Sequence, residues 1–99
     1  MREWIAGFDW DAGNREKCVE HGVSIPEIEE FFAGAPRIAP DLSHSGSEDR
    51  FIAAGRTEKG RALFVAFTFR KHHGQTLLRP LSARYMHKKE IAAYEKEGS

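Results

Sequence analysis

A single cysteine, Cys18, stands in the 99 residues, so no internal disulfide can form and a reducing, cytoplasmic setting is expected. Long hydrophobic runs are missing as well. The longest, Ala62 to Phe69, has the length of a strand and falls far short of the ~20 residues that a membrane helix needs, so no membrane contact is expected. The opening MREWIAGFDWD carries an acidic residue at position 3 and no extended apolar stretch, which is not an export signal. Repeats and low-complexity segments are absent. There is no P-loop, GxGxxG or GxSxG, which removes the commonest nucleotide-binding and acyl-transfer signatures. His72 and His73 are adjacent, without a second cysteine or an HxxxH spacing, so neither a zinc site nor any other metal or cofactor is expected. Cys18 lies among acidic residues, which suits a small packed side chain better than a reactive thiolate.

Net charge is missing too, but its distribution is uneven. Residues 1–49 hold 4 Lys/Arg against 11 Asp/Glu, and residues 50–99 hold 11 against 4. Such a division can place a basic functional face opposite acidic packing helices, or the two halves can interdigitate and mix their charges.

The length suits one domain, residues 1–99, with one modest core. Trp4 to Trp10 reads as a first strand. Asp11 is a candidate N-cap for a helix over Ala12 to His21, which Gly22 ends, and His21 falls where the helix dipole suits a cation. Ser24 and Glu27 have capping-box spacing, and Ile28, Phe31 and Phe32 give the following helix a core stripe that stops at Gly34. Beyond Pro36 the period changes to two. RIAPDL is a strand weakened by Pro40, LSHSGSE a loop, and EDRFIAAGRT and RALFVAFTFR two strands at hairpin spacing. KHHG is another turn, QTLLRPLSAR the last strand, and a charged helix follows from Tyr85. This predicts an α+β domain with two N-terminal helices, a mostly antiparallel meander and a C-terminal helix.

Alternation makes Glu48 and Arg50 same-face neighbours. It separates Arg79 from Arg84 across the last strand, unless a bulge at Pro80 resets the facing. In the terminal helix His87, Glu90, Ile91 and Tyr94 form one stripe, which serves as a docking face or brings proton-transfer groups together.

Several segments, in order, resemble the BrnT family of type II toxins: FDWDAGNREKCVEHGVSIPEIEEFF, DLSHSGSEDRFIAAGRT, RALFVAFTFR, RPLSAR, and Glu90 spaced from Tyr94 as a closing E-x-x-x-Y. Glu20 stands where the family usually has lysine before His21 and Gly22, Pro80 where it favours Ile or Val, and Phe69 where many members are polar. The resemblance implies a RelE-like ribonuclease fold with helices on one side of the sheet. It also implies translation arrest by RNA cleavage and neutralisation by a BrnA-like ribbon-helix-helix antitoxin, with DNA met only through that antitoxin.

RNA cleavage without metal needs a base for the 2′-hydroxyl, cations for the phosphorane-like transition state and an acid for the leaving 5′-oxygen. Arginine's planar fork suits the phosphate, so Arg50, Arg70 and Arg84 are the expected ligands, with Arg79 ranked last. His44 is the first choice for proton transfer, because histidine's ordinary pKa of ~6.5 lies near working pH. Glu48 is the alternative base, and Glu90 or Tyr94 orients an arginine or serves as the acid. Each has a structural alternative: Glu48 paired with Arg50, His44 bonded within its own loop, Arg84 clamped to Glu90. Two rival functions follow: an inactive member that binds protein or nucleic acid without cutting, and a metal-dependent nuclease, which the ligand spacing favours least.

Overall fold

The computed structural model describes residues 4–43, 46 and 48–98. The aromatic opening forms β1 (Ile5–Phe8), followed by α1 (Ala12–Val19) and α2 (Ile25–Ala33). Asp11 caps α1 as expected. Its Oδ1 accepts from the Asn14 backbone N–H at 3.0 Å, and Asn14 Oδ1 accepts from the Asp11 N–H at 2.7 Å. Glu20 closes α1 one residue before His21, and Gly22, at φ +88°, makes a turn that a side chain would strain. Ser24 Oγ caps α2 by accepting from the Glu27 N–H at 3.2 Å, with Pro26 in the first turn.

After the helices come β2 (Arg37–Pro40), β3 (Phe51–Arg56), β4 (Ala62–His72), β5 (Gln75–Tyr85) and α3 (Lys88–Glu97). Strands β2 to β5 are the expected antiparallel meander, while β1 runs parallel to β5 at its outer edge, giving the order β1-β5-β4-β3-β2. Pro40 falls on the edge strand, where its missing N–H costs no ladder bond on the open side. No helix among the described residues is long and apolar enough to cross a membrane.

Leu63, Val65 and Phe67 project to one face of β4 and are fully buried with Ile28, Phe31 and Phe32 of α2, Cys18 of α1 and Leu78 of β5. Phe67 meets Phe32 edge-on at 5.1 Å. Each such side chain contributes about 1.5–3 kcal/mol by leaving water, so this single layer holds both N-terminal helices to the sheet. The thiol of Cys18 is pushed up to about 11 by that burial, which makes it the inert packed residue expected.

The other sheet face is open and carries the polar chemistry. Cross-strand partners place Ala54, Phe64 and Arg84 in one row and Ile52, Ala66 and Ser82 in the next. Between Ser82 and Pro80 the register slips by one residue, leaving Leu81 as a bulge, and Arg79 then pairs with Thr68. Regular alternation is therefore overturned at this point: Arg79 and Arg84 share the open face. Helix α3 lies against that face as well, for Glu90, Ala93 and Tyr94 line a cleft with Ile52, Ala54 and Phe64. It has no buried residue of its own.

Candidate functional site

A cleft of about 410 Å³ opens over the β3–β4–β5 rows. Ile52, Phe64, Ser82 and Arg84 form its floor, Asp41 and Ser43 border it on the β2–β3 side, Glu90 reaches in from α3, and His21 lines it at the end of α1.

Two elements fix its walls. Helix α1 lies along β5 beyond the end of β1, where the buried Asn14 uses its side-chain N–H groups to bond the carbonyls of Asp9 at 2.8 Å and Pro80 at 2.9 Å. The helix start is also held by Arg79, whose Nη2 is 2.9 Å from Asp11 and whose Nη1 is 3.5 Å from Asp9. At the other wall, Arg84 donates from Nη1 and Nη2 to the two oxygens of Glu90, both at 2.8 Å, and the His87 backbone N–H adds a third bond to Glu90 at 2.9 Å. The guanidinium beside Glu90 and, after it, that backbone donor hold the carboxyl down at about 2, so it is ionised at any ordinary pH. Glu90 in turn keeps Arg84 charged. What the arrangement offers is a fixed cation in a largely apolar floor, with carboxylates and an imidazole at the rim, a setting suited to an anionic ester.

The sequence matches the family described as ribonuclease toxin, BrnT, of type II toxin-antitoxin systems over residues 10–90. The chain belongs to the BrnT family. No curated protein matches it significantly. In this BrnT-family chain the matched span carries both walls of the cleft, from Asn14 and His21 to Arg84 and Glu90, and stops short of Tyr94.

Of the residues expected at the site, Arg84 and Glu90 come together as the clamp. Glu48 pairs with Arg70, whose Nε is 2.7 Å from its carboxylate, and not with Arg50, although Glu48 and Arg50 line one hollow. Arg70 is six residues along β4 from Phe64, about 20 Å of strand, so neither member of that pair lies in the cleft. Tyr94 sits under the Arg37 guanidinium at 3.9 Å and accepts its Nη2 bond through the backbone carbonyl at 2.7 Å, in the neighbouring cleft. Arg50, one residue before β3, has no ion pair among the described residues, and its Nε is buried without a hydrogen-bond partner. It lines a separate hollow next to Asp49 and Phe51. Arg79 is the structural pin already described, bound to Asp9 and Asp11. His44 lies outside the described residues. His21 and Ser82 were not among the expected site residues. The signal available for His21 was its place in the His-Gly pair of the family resemblance, and Ser82 had none. Among the described residues, no three His, Cys, Asp or Glu side chains gather as a metal site requires.

Proposed function

We propose that this chain is an endoribonuclease toxin that cuts RNA without a metal ion, in the cleft floored by Arg84, and so arrests translation in the cytoplasm. The single observation that carries the reading is the bidentate Arg84–Glu90 clamp at the rim of that cleft, in a chain of a ribonuclease toxin family. Arg84 retains N–H groups for a phosphate oxygen while Glu90 orients it. Arg50 and Arg70 contact flanking phosphates on the same open face. His44 takes the 2′-hydroxyl proton. Its neighbours Ser43 and Asp41 border the cleft, which supports that assignment over Glu48. The partner is a BrnA-like ribbon-helix-helix antitoxin, through which DNA is met, and the fold is RelE-like.

The test is cleavage of RNA by the purified protein in EDTA. The expected products end in a 2′,3′-cyclic phosphate, and Arg84→Ala lowers the rate about a hundredfold or more, the scale on which a single transition-state donor acts. A metal-dependent nuclease would instead stop cutting in EDTA.

A second reading, a binding module that cuts nothing, draws on one specific observation. Five arginines of the open face already carry a carboxylate: Arg37 with Glu97, Arg56 with Glu95, Arg70 with Glu48, Arg79 with Asp9 and Asp11, and Arg84 with Glu90. That reading predicts antitoxin binding with no RNA products and no growth arrest on expression.

A further inference from the structure

We infer that His21 is the general acid of the cleft, giving its proton to the 5′-oxygen that leaves. The inference rests on the ribonuclease reading and adds to it a residue on the α1 wall of the cleft, across the floor from Asp41 and Ser43. In-line displacement puts the attacking 2′-oxygen and the departing 5′-oxygen on opposite sides of phosphorus, so the base and the acid must approach from opposite walls. The sheet order supplies those walls. Asp41 and Ser43, the neighbours of His44, lie on the β2–β3 side of the floor, whereas His21 lies beyond β5, with the Arg84 row between them.

His21 is exposed, and the helix that carries it to the cleft is anchored at its start. Asn14 ties α1 to the Pro80 carbonyl, Arg79 pins its start through Asp9 and Asp11, and Gly22 turns the chain away at φ +88°. The charged groups that share the cleft with the ring are Asp41, Arg84 and Glu90, and Lys17 and Glu20 lie on its own element. In the step itself the base removes the 2′-hydroxyl proton and the 2′-oxygen bonds to phosphorus. The P–O5′ bond then breaks with its electron pair on oxygen, and the His21 imidazolium proton neutralises that oxygen. The products are a 2′,3′-cyclic phosphate and a 5′-hydroxyl.

A comparison of two substrates tests this. In one, a dinucleotide, the leaving group is a 5′-hydroxyl that needs a proton. In the other, a uridine 3′-(4-nitrophenyl phosphate), the leaving group departs without one. His21→Gln is expected to slow the dinucleotide about a hundredfold or more, the usual worth of a positioned acid, while the nitrophenyl ester is cut within a few-fold of the wild-type rate. Equal losses on both substrates, or no loss on the dinucleotide, would overturn the assignment and leave the ribonuclease reading standing. A wild-type protein that cuts neither substrate would overturn both.

Discussion

Glu90 accepts three hydrogen bonds, two from Arg84 and one from the His87 backbone, so it fixes the direction of the guanidinium and the start of α3 with one carboxylate. The sign of its pH dependence follows. Its folded-state value lies at about 2, below the ordinary 4.5, so its contribution to stability is complete above pH 4.5 and is lost as pH falls towards 2. Thermal melts of the wild type and Glu90→Gln should therefore differ at neutral pH and converge between those two values. Convergence at higher pH would mean that another group sets the effect. Arg79 is a different kind of arginine. It is largely buried between two aspartates, and its removal leaves both carboxylates without their cation. Arg79→Ala should cost about 1–3 kcal/mol in urea unfolding, and the folded variant should keep its affinity for RNA measured under native conditions. A loss of affinity with unchanged stability would make Arg79 a phosphate ligand instead.

Helix α1 is placed by its first turn. Asn14 completes the cap of Asp11 and, at the same time, satisfies the Pro80 carbonyl at the bulge of β5. Asn14→Ala keeps the Asp11 cap but removes the return bond from the Asp11 N–H and leaves a buried carbonyl unpaired, at ~1–3 kcal/mol. The urea midpoint should fall by about that free energy divided by the slope, with the slope unchanged. How far the elements were legible follows from the same contacts. Asp11, Ser24 and the period-two run from Leu63 to Phe69 announce themselves locally, through capping chemistry and alternation, and the helices and the meander could be read from them, whereas both faces of β4 are apolar near the middle and alternation did not say which one packs on the helices. Facing beyond Pro80 could not be read, because the bulge at Leu81 depends on how β5 pairs with β4 once β1 has ended. The parallel pairing of β1 is likewise a tertiary choice. The Glu48–Arg70 pair joins residues 22 apart in sequence, and local alternation pointed to Arg50. The cleft suffered most from this. Arg84 and Glu90 are close in sequence and were found together, whereas His21 reaches the same place only because α1 folds along β5.

Across the whole molecule, the charges of the two sequence halves mix, as the second of the two expectations has it. The basic half supplies most of the arginines on the open sheet face, and acidic groups from both halves reach over to pair with them: Asp9, Asp11 and Glu48 from the first half, Glu90, Glu95 and Glu97 from α3. The pairs that lie in solvent are each worth ~0–1 kcal/mol and are screened by salt, so a polyanion can compete for them. Zero net charge is therefore compatible with an RNA-binding face. The ribonuclease account is tested most directly by one measurement, RNA cleavage in EDTA by the purified wild type beside Arg84→Ala, with the folding of both verified. The account predicts wild-type products ending in a 2′,3′-cyclic phosphate and a variant about a hundredfold slower or worse. No wild-type products, or a variant that cuts at the wild-type rate, would contradict it.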